Sequence, residues 1–191
     1  MKLMNKILRI IPPTAIALLT VCNIVDAQIP MDVETGKFIY EEVVQAEGMS
    51  KAQLFELAEK WFTNSSHIEG DSLLPKDSDQ KSISFIKNFK FNKNIIRIMD
   101  TTAKNRLTMN LSIYFKEGRF KYKIDNMIYH YYLIANTSQS LFTSPLEDVK
   151  YLPAKKEKLY TMIDERIRKM ITQMKDFMRQ KVKTDDEYDN W

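Results

Sequence analysis

The sequence predicts an α+β domain in which helices cover one face of an antiparallel sheet, and two observations carry that prediction. The first is a pair of alternating runs. Leu107, Met109, Leu111, Ile113 and Phe115 alternate with Thr108, Asn110, Ser112, Tyr114 and Lys116. After the turn Glu117-Gly118, Phe120, Tyr122, Ile124 and Ile128 alternate with Arg119, Lys121, Lys123 and Asp125. A period of two with one apolar face and one wet, basic face describes a hairpin buried on a single side. The second is a helical stripe between Lys155 and Lys183. Ile163, Ile167, Met170, Met174 and Phe177 recur at steps of four and three, and Leu159, Met162, Ile171 and Met178 widen the stripe. A one-sided sheet needs a second layer, and helices are the layer this chain offers.

The other elements follow in order. At 191 residues, with 44% hydrophobic and 28% charged residues, the chain suits one domain that folds without staples. It opens with Lys2, Lys6 and Arg9, then an apolar run from Thr14 to Val25 that ends in Val25-Asp26-Ala27. That order describes a secretory signal peptide over residues 1–27. The run is shorter than the roughly twenty residues of a membrane span, and Pro12-Pro13 breaks its start. Cleavage after Ala27 is the expected outcome; Leu19-Thr20-Val21-Cys22 is the alternative, a lipoprotein box that would acylate Cys22. With Lys2, Lys6, Arg9 and Asp26 removed, 26 basic residues face 24 acidic ones, a net charge of +2 that gives a polyanion little to grip. Cys22 is the one cysteine, so the mature chain would have neither disulfide nor thiol nucleophile.

The mature chain reads as a domain over 28–153, a helix over 154–183 that packs on it, and an acidic tail over 184–191. Lys37 to Ala46 reads as a strand between Gly36 and Gly48. Ser50 fits a helix N-cap with Gln53 completing a capping box, and Met49 and Leu54 fit a hydrophobic staple. Leu54, Leu57, Ala58 and Trp61 then hold helical spacing up to about Asn64. Ser65 to Asp79 reads as a loop; Ser82 to Phe91 and Asn94 to Met99 read as strands. The run Tyr129-His130-Tyr131-Tyr132 reads as the hairpin's end meeting the core.

Several of these blocks resemble a known family. Pro30, Gly36-Lys37-Phe38-Ile39-Tyr40, Val43-Val44, Gly48-Met49-Ser50-Lys51, Leu54-Phe55, Ala58 and Trp61-Phe62 resemble its opening block, and Lys116-Glu117-Gly118-Arg119-Phe120-Lys121-Tyr122 resembles its hairpin. The family is the exported Bacteroidetes domain of unknown function described as having a TBP-like fold, and the resemblance spans about residues 30–128. It implies a curved antiparallel sheet with helices on one face. It implies no activity, no site residues and, because fold and function separate, no nucleic-acid partner.

Catalytic patterns fail on their own chemistry. Gly70-Asp71-Ser72-Leu73 spells the opening of a GDSL-type esterase, but the downstream Gly-x-Asn-Asp block is missing and Met127 stands three residues before His130 where an Asp is required. A serine without a base to take its proton is a poor nucleophile, so a turn is the reading kept. His67 and His130 are too far apart for a local metal pair, and the tail Asp185 to Asp189 lacks a calcium loop's glycine turn. Four glycines, each at a strand end or turn, leave no phosphate-cradling loop. Asp71-Ser72-Leu73 and Asp100-Thr101-Thr102 match a short O-glycosylation pattern associated with Bacteroidetes. Two surfaces remain for binding. Tyr114, Lys116, Arg119, Lys121 and Lys123 on the wet strand face could hold an anionic glycan or lipid headgroup, although exposed strand positions are ordinarily Lys and Tyr. The C-terminal stripe could lie on a membrane or a partner, although a one-sided sheet needs it as core.

The sequence therefore leads to an exported, non-catalytic binding or structural module of the bacterial cell envelope. Its expected partners are an envelope protein, a glycan or a lipid headgroup, with no cofactor, no nucleic acid and no membrane span in the mature chain. No catalytic, cofactor-binding or metal-ligating residue is assigned. The alternative is an envelope hydrolase whose site is assembled from dispersed residues. Mass spectrometry of the exported protein should find Gln28 at the N-terminus; a diacylglyceryl group on Cys22 would show that the lipoprotein box is used instead.

Overall fold

The alternating hairpin is the centre of the domain. The computed structural model describes residues 29–65, 70–74, 81–91, 105–135, 138–150 and 153–180. In chain order they form β1 (Tyr40–Gln45), α1 (Lys51–Ser65), β2 (Ser72–Leu73), β3 (Ser82–Phe91), β4 (Asn105–Lys116), β5 (Arg119–Ala135), β6 (Ser138–Pro145) and α2 (Pro153–Met178). A short 3-10 turn at Leu146–Asp148 precedes α2. The six strands make one open antiparallel sheet in the order β1-β5-β4-β3-β2, with β6 also on β5. Ile128 and His130 pair with both β4 and β6, so β6 lies on the side of β5 away from β4. β1, which pairs with Arg119 to Ile124, lies on that same side. β1 and β6 thus share one edge of β5, end to end.

Leu107, Met109, Leu111, Ile113 and Phe115 are buried on one face together with Phe120, Tyr122 and Ile124. The phase then slips. Asn126 has a left-handed φ of +50°, and the pairing jumps from Asn110↔Asp125 to Thr108↔Ile128. This β-bulge puts Met127 and Tyr129 in the core and leaves Ile128 half-buried on the other face. The expected inward Ile128 is thereby corrected, because strict alternation cannot register an extra residue. Three other boundaries differ. The helix expected over 154–183 ends at Met178. The first strand is shorter than Lys37 to Ala46, with only an isolated Met31↔Phe38 bridge before Tyr40. The expected loop from Ser65 contains β2, a two-residue strand. The strand expected at Asn94 to Met99, the leader and the tail 184–191 lie outside the described residues.

Both helices pack on the apolar face. Ser50 and Gln53 close the capping box, the Ser50 N–H donating to Gln53 Oε1 at 2.8 Å and the Gln53 N–H to Ser50 Oγ at 3.2 Å. The hairpin tip secures this helix start. Gly118, at φ +69° where a side chain would be strained, donates its N–H to Met49 O and accepts from the Ala46 N–H. Glu117 Oε1 accepts the Lys51 N–H at the positive end of α1. Leu54, Leu57, Ala58 and Trp61 are buried, as the spacing predicts. In α2, Leu159, Ile163, Ile167, Met170, Ile171, Met174 and Met178 join the same core, so the Met-rich stripe is packing surface. No described helix is long and apolar enough to cross a membrane.

Two polar clasps hold α2 to the first strands. Asp164, buried in the seam, accepts the Tyr40 hydroxyl at 2.7 Å and the Arg168 Nε–H at 2.8 Å. Glu42 accepts the Tyr122 hydroxyl at 2.9 Å and Lys175 Nζ at 2.7 Å. Burial and the carboxylate partner push both phenols well above their ordinary range, so they remain donors. The hydrogen bond from Lys175 lowers the Glu42 carboxyl.

Leu111 is fully buried, whereas the Lys121 side chain is 43% exposed on the opposite face. Leu111→Ala should cost about 2–5 kcal/mol in urea unfolding and Lys121→Ala less than about 0.5 kcal/mol. Equal losses would mean that the two faces are exchanged.

Candidate functional site

β3 places Ile83, Phe85, Phe89 and Phe91 on the apolar face, and the position between them is Lys87. A lysine among these aromatics needs a charge partner, because an isolated buried ammonium is strongly disfavoured. Asp71, just ahead of β2, supplies it. Its Oδ2 lies 2.6 Å from Lys87 Nζ, and the two side chains are 2% and 4% exposed. The ammonium also sits 5.1 Å and 5.7 Å from the ring centroids of Phe62 and Trp61, within cation–π range. Asp71 Oδ1 accepts the Asn88 backbone N–H at 2.7 Å, so one carboxylate serves both the lysine and the strand edge. Gly70 makes the approach possible: its φ is +98°, and a Cβ there would stand 3.2 Å from Asn88 Nδ2.

Lys87, with Asn88 beside it, lines a cleft of about 570 Å³ between α1, β3 and α2, and Asp71 holds the lysine from behind that wall. The cleft's apolar lining comes from Trp61 of α1, Phe89 of β3, and Met162 and Met170 of α2, and Asn88 and Gln173 add amide groups. The α2 rim carries Glu165, Arg166 and Lys169. Arg166 is fixed in place: its Cζ lies 5.0 Å from the Phe89 ring centroid, and Nη1 donates to Lys90 O at 3.1 Å. Ser65 is the one hydroxyl among the described lining residues, and it donates to Phe62 O. The cleft combines an aromatic wall, flexible thioethers and a mixed-charge rim with more cation than anion. The chemistry it supports is the holding of an apolar body with an acidic end.

The residues singled out from the sequence are dispersed. Ser72 lies exposed in β2, its neighbour Asp71 is committed to Lys87 and Asn88, and His130 sits three strands away on β5. His67 and the segment 100–102 lie outside the described residues. Among the described residues no group of three His, Cys, Asp or Glu is placed to hold a metal ion. The wet face is less cationic than its sequence suggests. Lys121 pairs with Glu41 at 2.9 Å and Lys123 with Asp125 at 2.9 Å, so two of its lysines are already neutralised. Lys87 and the cleft were not foreseen. The available signal was a lysine in phase with the core positions of an aromatic strand.

From Asn88 a polar chain crosses the uncovered face. The Thr108 hydroxyl donates to Asn88 Oδ1 at 2.9 Å, so its oxygen accepts from His130 Nε2–H at 3.1 Å. His130 Nδ1 then accepts the Thr143 hydroxyl at 3.2 Å, which assigns the neutral Nε2–H tautomer. Burial and, secondarily, the nearby Arg106 hold His130 below the ordinary histidine pKa of 6.5. The unfolded chain therefore takes up this proton first as pH falls. Stability contributed by neutral His130 is complete above about pH 6.5 and is lost as pH falls toward the lower folded value. The melting temperature should drop more steeply from pH 7 to pH 5 in the native chain than in His130→Gln; parallel slopes would remove His130 as the cause.

The comparisons agree with this architecture. Residues 40–130 match the family described as a domain of unknown function (DUF4468) with TBP-like fold. A TBP-like protein from Parabacteroides distasonis superposes with a TM-score of 0.61 at 15% identity, over 80% of this chain and 97% of that one. A DUF4468 family protein from Bacteroides ovatus gives a TM-score of 0.61 at 12% identity, over 82% of this chain and 93% of that one. No curated protein matches the chain. An open six-stranded antiparallel sheet with two helices on one face, the family match across β1 to β5 and two neighbours of the same architecture lead to one assignment: over residues 40–130 the chain carries a DUF4468 domain with a TBP-like fold.

Proposed function

We propose that this chain is an exported binding module of the bacterial cell envelope, without catalysis of its own, that takes an amphiphilic anion in the α1/β3/α2 cleft. The leader read from residues 1–27 supports the location, and the cleft supports the role. A volume of about 570 Å³ suits a small ligand or the end of a larger one. The single observation that carries the reading is the division of labour among its charges. Lys87 is neutralised by Asp71 inside the wall, whereas Lys169 is exposed at the rim. An acid group can therefore be met at the mouth without a second buried charge, while its apolar part lies against Trp61, Phe89 and Met170. The same commitment supports holding over reacting, since Asp71, Asp164 and Glu42 are each bound to a cation and to a hydrogen-bond donor.

Trp61 makes the cleft observable, because the chain has only one other tryptophan, Trp191. Titration with decanoate below its micelle concentration should change the Trp61 emission saturably. Decanol should act more weakly, and Lys169→Glu should weaken decanoate binding several-fold with little effect on folding. The Lys169 contribution should also shrink with added salt. An unsaturable response, or one equal in Lys169→Glu, would rule out the cleft as an anion site.

A further inference from the structure

Most of the sheet's edges are protected. β1 carries Glu41 and Glu42 on its two faces, each paired with a lysine, and charged side chains on a short edge strand disfavour strand addition. β2 is two residues long, and beyond it the rim of β3 is capped by Asp71 on the Asn88 N–H and by Arg166 on Lys90 O. β6 differs. Its sequence, Ser138-Gln139-Ser140-Leu141-Phe142-Thr143-Ser144-Pro145, has no charged residue over eight positions. Among the described residues it pairs only with β5, and its centre exposes 54% of Leu141 and 41% of Phe142. The ribbon also runs past its support. Pairing of β5 with β4 ends at Arg106↔His130, so among the described residues Tyr131 to Ala135 are paired by β6 alone. A two-stranded ribbon is marginally stable in water, and an added strand would stabilise it.

We infer that β6 is the seat of a symmetric dimer, in which two copies of this chain pair their β6 strands antiparallel about a two-fold axis at Leu141. A second copy is the occupant because a neutral strand is complementary to itself: no like charges meet, and each copy supplies the same backbone edge, which pairs with no further strand among the described residues. An axis perpendicular to the sheet keeps the helix-covered faces of both copies on one side. Leu141, on the uncovered face, then meets Leu141 of the second copy. Phe142, stacked on Tyr131 at 5.6 Å on the covered face, meets Ser140 of the second copy. This goes beyond the proposed cleft and does not depend on it.

The test uses the mature chain from Gln28, which lacks Cys22, the one cysteine. A single pair of strands is a small interface, so association should fall in the micromolar range, and sedimentation should span about 1–200 µM. The native chain should pass from monomer to dimer in that range. Leu141→Lys, which sets like charges face to face at the axis, should raise the dissociation constant roughly tenfold or more. Leu141→Cys should form a disulfide-linked dimer on mild oxidation, since directly opposed strand residues stand about 4.5–5.5 Å apart at Cα, within disulfide reach. Tyr114→Cys, exposed on the same face but on β4, should stay monomeric on the same non-reducing gel. A native chain that is monomeric throughout overturns the inference, even if another protein is found on the strand. So does a dimer insensitive to Leu141→Lys, or equal cross-linking of the two cysteine variants.

Discussion

The sheet keeps one apolar face because β5, the strand to which β1, β4 and β6 all pair, loses one residue of phase at Asn126. Before the slip Phe120, Tyr122 and Ile124 face the helices; after it Met127 and Tyr129 do. Without the slip, strict alternation would turn Ile128 and His130 toward the helices and expose Tyr129, because a shift of one residue exchanges the faces of a strand. The rest depends on this. α1 and α2 have a continuous surface to cover, and the uncovered face receives the polar chain from Asn88 through Thr108 and His130 to Thr143.

The cleft exists because the two helices do not cover β3 completely. Between the end of α1 and the middle of α2 the apolar face of β3 carries Lys87 among its phenylalanines. The desolvation cost of a buried ion pair is comparable to its attraction, so the Asp71–Lys87 pair is weakly justified by stability alone. Its geometric effect is clearer. It pins the start of β2 to β3, caps the strand rim through the Asn88 N–H, and leaves a polar wall at the back of an aromatic recess.

The architecture was legible in the sequence wherever a single period governs a segment. The hairpin from Leu107 to Ile124, the capping box at Ser50 and Gln53, and the stripe from Leu159 to Met178 are local patterns, and the structure has them. The bulge was not legible, because an inserted residue changes phase without changing composition. β6 was not legible either, since Ser138 to Pro145 has too few apolar residues to alternate and owes its conformation to pairing with β5. The cleft was the least legible feature. It brings together Trp61, Lys87 and Lys169, which no sequence window contains, and its one local trace was a lysine in phase with phenylalanines.

The two clasps on α2 have a consequence for how the helix can move. A stripe of Leu, Ile and Met is nearly self-similar under translation by one helical turn, about 5.4 Å, so apolar contact alone permits sliding. Asp164 and Arg168 engage Tyr40 near the middle of α2, while Lys175 engages Glu42 about two turns further on. A slip of one turn in either direction would break both at once and leave the buried Asp164 carboxylate without the Tyr40 hydroxyl, its Arg168 partner travelling with it on the same helix. The helix therefore has one axial position on the sheet, and the rim it presents to the cleft is held at a single height.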